Sequence, residues 1–264
     1  MKLLYMFDFS SNNSPPNLKK LWAEGYRALG LKATEGNGYE WHECERLAKA
    51  WHKMGGTCAY YAFLHKEQPT LEANYFWQFV KGFFQPGDWI AADAERSGVN
   101  GPVVEAFQKE IRFLVREKFP KRTEVDQLTY GSPGFLIPNH IVSYCGAELW
   151  EASYGVGSPQ RVKGFDGWLL WQYTDHAHAP GMSGNIDESK VMWRFFEPEL
   201  HPGDYGFCVV HLKALLHKRG YGGFLVDNMT FGLGVRRAVN QFKKKRGWPQ
   251  NGIVGRAMWE ALNA

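Results

Sequence analysis

The sequence lacks the features that mark several large classes of protein. No apolar run is long enough to span a membrane, and Asp8 interrupts the amino-terminal MKLLYMFDFSS, which has no small-residue cleavage site, so we expect neither membrane insertion nor a secretory signal. A phosphate-binding glycine loop, a Gly-x-Ser-x-Gly elbow and an HExxH motif are absent. The four cysteines, at positions 44, 58, 145 and 208, form no Cys-x-x-Cys pair and lack the spacing of zinc ligands; they are Cys44, Cys58, Cys145 and Cys208. We therefore expect free buried thiols and synthesis in a reducing compartment.

The composition is that of an ordered chain with many aromatic residues and a basic tail. Its 264 residues suffice for one barrel-sized domain or two ordinary domains. Aromatic residues make up 16% of the chain, and such residues either pack in the core or form surfaces on which sugars or bases stack. Residues 207–264 hold ten Lys or Arg against two acidic residues, a net +8, whereas the remainder carries −4. Such a tail fits an anionic polymer, such as nucleic acid or a phosphate-bearing cell wall, or is a solvated surface.

Up to about residue 195, strand-like apolar runs alternate with segments of helical period, as in β-α units on a parallel sheet. Five such units precede three strands joined by loops, which predicts an α/β fold with a modified barrel. The predicted strands are residues 3–9, 31–34, 57–64, 89–95, 126–130, 148–153, 168–173 and 185–187. The predicted helices are residues 17–26, 44–55, 73–83 and 102–119, with a short segment at 133–138.

The pattern changes after residue 196. Residues 197–206, EPELHPGDYG, have no periodicity and are rich in Pro, Gly and charge, which predicts an interdomain linker. Apolar residues then recur at helical spacing before Gly220 and before Gly247, and a third short helix follows around AMWEAL. We therefore predict two domains, residues 1–196 and a small three-helix domain at 207–264.

Four carboxylates are candidates for a catalytic site. Asp93 and Glu95 lie two residues apart in the strand WIAADAE, so both side chains leave the same face, which is unusual without a ligand, a metal or catalysis. Asp8 ends the first strand, and Asp187 follows the last short one. Active sites of β-α barrels lie at the carboxyl ends of the strands, and the first and last strands of a closed barrel are neighbours. The four acids can therefore converge on one cleft.

These acids have other interpretations on the residues alone. A single Asp at a strand end commonly caps a turn, and an acid cluster can bind a metal instead of performing acid catalysis. In a shared cleft, mutual repulsion would raise at least one pKa, as a group that donates a proton to a leaving oxygen requires. Asp175, His176 and His178 are a weaker metal candidate, without a further ligand pattern.

Eight blocks of the sequence resemble, in order and approximate spacing, the lysozymes of glycoside hydrolase family 25. They cover nearly all of residues 3–190 and are FDFSS, LKATEG, YYAF, AADAE, LTYGS, LWEASYG, WLLWQYT and GNID. The resemblance implies a TIM-like (β/α)5(β)3 barrel and a muramidase that cuts the β-1,4 bond between N-acetylmuramic acid and N-acetylglucosamine. It implies Glu95 as general acid and Asp93 as its partner. The other implied site residues are catalytic Asp8 and Asp187 and sugar-binding Tyr61, Tyr130, Trp150 and Gln172.

Some positions depart from the resemblance. Ala62 stands where the third strand commonly has His, and Asp187-Glu188-Ser189 replaces Asp-x-Asn, so we expect altered sugar contacts. The tail resembles the peptidoglycan-binding type 1 module of wall hydrolases. It has VDNMTFG where that module usually has VDGxFG, and Leu212-Lys213 where the module usually has Leu-Gln.

Together these features predict an endolysin-like lysozyme whose partner is bacterial peptidoglycan, with no cofactor, metal, nucleic acid or membrane insertion. A wall-degrading enzyme that lacks a secretory signal is expected to be a phage protein, which stays in the host cytoplasm until a separate pore-forming protein gives it access to the wall. Two alternatives stay open: a non-catalytic wall-binding protein on a degenerate barrel, and a wall amidase or peptidase with the same tail. Either a second carboxylate or the acetamido oxygen of the substrate can attack the anomeric carbon.

Overall fold

The computed structural model describes residues 4–264, in which eight strands close into a barrel. The strands of the described chain are β1 (Tyr5–Phe9), β2 (Ala28–Glu35), β3 (Tyr39–Glu40), β4 (Thr57–Phe63), β5 (Trp89–Asp93), β6 (Gln127–Gly131), β7 (Glu148–Ala152), β8 (Trp168–Ala177) and β9 (Ile186–Val191). The order around the barrel is β1-β9-β8-β7-β6-β5-β4-β2, and pairing of β1 with β2 closes it. The two-residue β3 is a hairpin partner outside the ring.

Helices cover the outside of the first part of the barrel. They are α1 (Leu18–Glu24), α2 (Glu43–Lys53), α3 (Pro69–Val80), α4 (Gly101–Lys118) and the single turn α5 (Pro133–Leu136). Asn100 caps α4 by accepting a hydrogen bond from the backbone N of Val103 at 3.3 Å, and Pro102 occupies the first turn, where its missing N–H costs nothing. Strands β7, β8 and β9 follow without long helices between them, which confirms the predicted (β/α)5(β)3 barrel.

Strand β9 differs from its neighbours because it is antiparallel to both β1 and β8. Its beginning therefore lies at the rim where the parallel strands end. The prediction that Asp187 follows the last strand is wrong in detail, since Asp187 is the second residue of β9. Strand β8 is also longer than predicted, so Asp175 and His176 belong to a strand rather than a loop. Leu3, the predicted start of the first strand, lies outside the described residues.

Three helices follow the barrel, as predicted: α6 (Phe207–Lys218), α7 (Leu233–Lys244) and α8 (Arg256–Asn263). This three-helix module (residues 207–264) packs against the amino ends of the barrel strands. The backbone N of Phe207 donates to the carbonyl of Gly55, just before β4, at 2.7 Å. One continuous buried apolar cluster joins the barrel interior to the module and includes Trp89, Phe195, Val209 and Trp259. The module thus closes the end of the barrel opposite the predicted site.

The segment 197–206 has the composition of a linker, but it is packed between the two parts. Glu197 and Leu200 are buried, and the Glu197 carboxylate lies 3.1 Å from Nε2 of His211 in α6. The indole Nε1 of Trp259 donates to the carbonyl of Pro198 at 2.8 Å. This segment therefore contributes to the interface instead of acting as an exposed tether. The division into domains stays a prediction.

Two further expectations concern membranes and thiols. Between residues 4 and 264, no helix has both the length and the apolar character needed to cross a bilayer. The four cysteines are free thiols, of which three are buried and Cys145 is half-buried.

Candidate active site

A pocket of about 200 Å³ opens where the parallel strands of the barrel end. It brings together all four predicted acids and seven of the eight predicted site residues. The lining residues are Asp8, Ser10, Asn12, Lys32, Tyr61, Asp93, Glu95, Tyr130, Trp150 and Asp187.

The four acids reach the pocket from three strands of the barrel, β1, β9 and β5. Asp8, near the end of β1, is paired in register with Asp187 at the start of β9. Asp93 is the last residue of β5, and its carboxylate accepts a hydrogen bond from the backbone N of Glu95 at 3.3 Å. Glu95 lies beyond the strand that was predicted to contain it, in the loop that follows.

Burial and mutual repulsion raise the pKa of the two deepest acids. The pKa of Asp8 lies well above its ordinary value because burial disfavours the charged form and because Asp187 is close; a hydrogen bond from Gln172 opposes the rise. The pKa of Asp93 is raised well above its ordinary value by burial and by the charge of Glu95. Both side chains are nearly inaccessible, with 6% and 5% exposure. Their burial leaves little of either side chain for direct contact with a substrate.

Glu95 is the acid best placed to exchange a proton with a substrate. It is exposed at the rim of the pocket, whereas Asp8 and Asp93 are buried. Its pKa is raised by desolvation and by the charge of Asp187, whereas the backbone of Ser132 and the nearby Tyr130 hydroxyl lower it. A raised pKa keeps a carboxylic acid protonated at higher pH, as a general acid requires.

The predicted sugar-binding aromatics have two different positions. Tyr61 and Tyr130 are half-buried and line the pocket walls. Trp150 is only 1% exposed and forms the floor, with ring centroids 6.1 Å from Tyr61 and 5.0 Å from Tyr130. Its indole Nε1 donates to Oγ of Ser189 at 3.0 Å, so a residue that departs from the family pattern holds the floor in place.

Gln172 does not line the pocket, contrary to the prediction. It is buried behind Asp8, and its amide Nε2 donates to the Asp8 carboxylate at 3.0 Å. Its Oε1 accepts hydrogen bonds from the hydroxyls of Tyr130, at 2.8 Å, and of Tyr154. Gln172 therefore links the Asp8 carboxylate to the hydroxyls of Tyr130 and Tyr154 from behind the pocket.

Sequence reasoning missed several residues of the site. Lys32 lies in the block LKATEG, which was a usable signal, and its Nζ donates to Glu35 at 2.7 Å. Ser10 and Asn12 come directly after β1, where loop residues are expected at the rim. Tyr154 lies in the block LWEASYG, which was likewise a usable signal, but its contact with Gln172 depends on how β7 and β8 lie together.

The side chains whose ligand atoms lie close enough together to hold a metal ion are outside the pocket. Within residues 4–264, His52, Cys58 and Asp88 hold ligand atoms within 4.8 Å of one another, at the amino ends of β4 and β5. Asp88 Oδ1 already accepts a hydrogen bond from the backbone N of Cys58 at 2.9 Å and lies 3.0 Å from His52 Nε2. These contacts describe a buried pair of His52 and Asp88 at the end of the barrel opposite the pocket.

Comparison with known proteins agrees with this geometry. Residues 7–182 match the family described as "Glycosyl hydrolases family 25", and residues 209–262 match "Putative peptidoglycan binding domain". The autolytic lysozyme of Clostridium acetobutylicum is 24% identical over 180 residues, which are 68% of this chain and 53% of that protein. The chain thus aligns with about half the length of this curated relative.

Solved structures share the barrel fold. The CTP1L endolysin is 24% identical, with a TM-score of 0.62, and the match covers 74% of this chain and 68% of that one. The catalytic domain of an endolysin from a Listeria monocytogenes bacteriophage is 19% identical, with a TM-score of 0.59 over 73% of this chain and 95% of that one. Since the first family match spans well over half of the sequence, the chain belongs to the glycosyl hydrolases of family 25.

Proposed function

We propose that this chain is a lysozyme that hydrolyses the β-1,4 bond between N-acetylmuramic acid and N-acetylglucosamine in peptidoglycan. The observation that carries the proposal is the contrast between one exposed acid of raised pKa, Glu95, and the buried acids Asp8 and Asp93 in the same pocket. The walls formed by Tyr61 and Tyr130 suit the faces of sugar rings. The curated relative named as an autolytic lysozyme supports the same substrate class.

In the proposed reaction, Glu95 donates its proton to the glycosidic oxygen as the bond to the anomeric carbon breaks. The bonding electron pair leaves with that oxygen, and positive charge develops on the sugar ring. Asp93 and Asp8, which lie beneath, stabilise this charge from a dry environment where electrostatic interactions are strong. Water then supplies the new hydroxyl group, and its remaining proton returns to Glu95.

The first attack on the anomeric carbon has two candidate routes. A carboxylate can form a bond to the carbon, or the acetamido oxygen of the substrate can do so while an Asp orients the group. The burial of Asp8 and Asp93, which are 6% and 5% exposed, argues against either as the attacking carboxylate, so the first route would fall to the half-buried Asp187.

We further propose a phage lysis role, in which the enzyme stays in the host cytoplasm until a separate pore-forming protein opens the membrane. The endolysins among the similar structures support this origin. Expression in a bacterial cytoplasm should leave cells intact until a pore-forming protein or a membrane solvent is supplied. Lysis without permeabilisation would contradict this role.

Identification of the new chain ends in digested peptidoglycan tests the proposed bond. Purified walls are incubated with the full chain, and the released ends are labelled chemically. Reducing N-acetylmuramic acid ends are the expected result. Free amino groups would instead indicate an amidase or peptidase, and walls that bind the protein without any new ends would indicate a non-catalytic wall-binding protein.

A further inference from the structure

One buried acid lies outside the pocket and takes no part in the proposed reaction. Glu72, in the first turn of α3, is only 2% exposed, and within residues 4–264 its one hydrogen bond comes from the backbone N of His65, at 2.9 Å. Burial raises the pKa of Glu72 to about 7, and the hydrogen bond from His65 offsets only part of that rise. Acids in such unfavourable surroundings are common at functional sites, so Glu72 is a candidate for a role in the reaction.

The hydrogen bond from His65 to Glu72 closes the loop that joins β4 to α3, residues 64–68. The Glu72 side chain reaches back from the first turn of α3 to a residue before the helix, much as the acid of a capping box does. The N-cap residue itself, Gln68, forms no side-chain cap. The Glu72 carboxylate therefore fixes the backbone of this β4–α3 loop.

The β4–α3 loop lies against the segment that carries the proposed general acid, residues 94–100, which we name the Glu95 loop. A guanidinium N of Arg96 donates to Nε2 of His65. The same guanidinium lies 3.9 Å from a carboxylate oxygen of Glu35 on β2. Arg96 directly follows Glu95 in the chain. The β4–α3 loop thus restrains the Glu95 loop at the residue next to the general acid.

Two further contacts join the same loops, one before and one after that contact in the chain. The backbone N of Leu64 donates to the carbonyl of Asp93 at 3.0 Å. Lys66 lies over Gly98, where an added Cβ would come within 2.6 Å of Lys66 Cδ. The loops are therefore joined through three consecutive residues, and the central one is the residue that Glu72 holds.

We propose that Glu72 is a positioning residue for Glu95. It holds the β4–α3 loop, that loop holds Arg96 through His65, and Arg96 keeps the Glu95 loop at the rim of the pocket. A general acid must lie within hydrogen-bond reach of the oxygen it protonates, and a misplacement of about 1 Å can cost about 10² in rate. The inference rests on the proposed function, because it names a residue that supports the proposed proton donor.

Glu72→Met removes the acceptor, keeps a side chain of similar length, and tests the proposal on two substrates. On soluble wall glycan, kcat should fall by about ten- to a hundred-fold with little change in KM, since the acid is displaced and the sugar-binding walls are not. On an aryl glycoside whose leaving group needs no proton, kcat should change by less than about three-fold. Glu72→Gln keeps an oxygen that accepts from His65 and should retain most of the activity. Glu67→Met, at an exposed position in the same loop, is the matched control.

Two further measurements make the test independent of folding and of turnover. Arg96→Met changes a side chain that is 46% exposed, so it should leave thermal unfolding unchanged and give the same substrate-dependent loss of kcat. The backbone N–H groups of Glu95 and Val99 are hydrogen-bonded within the loop region. Their amide hydrogen exchange should be faster in both variants than in the wild type, because a loop that is less restrained opens more often.

Wild-type kcat on wall glycan in Glu72→Met, equal losses on both substrates, or the same loss in Glu67→Met would each overturn the proposal. Unchanged exchange at Glu95 and Val99 would do so as well. Turnover by the wild type reports the proposed hydrolysis separately. A wild-type protein that cleaves no glycan refutes the enzyme, and the exchange rates then decide whether Glu72 positions the Glu95 loop.

Discussion

Asp8 and Asp187 face each other directly across the antiparallel pair of β1 and β9. Two acids in register on adjacent strands repel each other, and the pKa of Asp187 is raised by desolvation and by Asp175, a further acid nearby. The charge of Asp187 also raises the pKa of Glu95 on the other side of the pocket. The last strand of the barrel thus helps to keep the proposed general acid protonated.

Asp187→Asn should move the alkaline limb of the pH profile of kcat/KM to lower pH. The Asp187 charge raises the pKa of Glu95, so its removal lets Glu95 lose its proton at lower pH. Rates measured across pH on soluble glycan fragments check this. An alkaline limb that stays in place or moves to higher pH would show that Asp187 does not act on the acid. Asp166→Asn, which changes an exposed acid outside the pocket, is the control.

Gln172→Met should lower kcat by about ten-fold or more with little change in KM, since the lost hydrogen bond orients and stabilises the Asp8 carboxylate. The Gln172 hydrogen bond lowers the pKa of Asp8, so the acid limb of the profile should also move to higher pH. Gln160→Met, at an exposed position, should change neither quantity. A rise in KM alone would mean that Gln172 contributes only to sugar binding.

Trp259→Ala should destabilise the whole chain by about 3–5 kcal/mol, the usual cost of removing a large buried aromatic side chain. Trp259 is 1% exposed and belongs to the apolar cluster shared by barrel and module. Urea unfolding followed by fluorescence and circular dichroism should show one transition for the chain. Leu233→Ala, at a position 69% exposed on α7, is the control and should cost little. Separate transitions for barrel and module would contradict a shared core.

A chelator should leave glycan cleavage unchanged if the pocket acids act by proton transfer and charge. Among the described residues, the ligand atoms that gather closely are those of His52, Cys58 and Asp88, remote from the pocket. Loss of activity with a chelator, restored by a divalent ion, would reassign the acids as metal ligands.

The sequence predicts those parts of the site that depend on local spacing. Asp93 and Glu95 were predicted as a pair because they lie two positions apart, and the barrel was predicted because strands and helices alternate. The hydrogen bond from Gln172 to Asp8 was not predictable from spacing, because the two residues are 164 positions apart in the chain. Likewise, the composition of residues 197–206 is that of a linker, but Glu197 becomes buried through a contact with His211 that only the tertiary structure provides.

Glu95→Gln tests most directly whether Glu95 donates the proton to the leaving oxygen. The amide cannot donate that proton, so cleavage of wall glycan should fall by about 10² to 10⁴ while glycan binding and thermal stability are retained. An aryl glycoside whose leaving group needs no proton should be affected far less. Wild-type rates on wall glycan, or equal losses on both substrates, would contradict the assignment of Glu95 as the general acid.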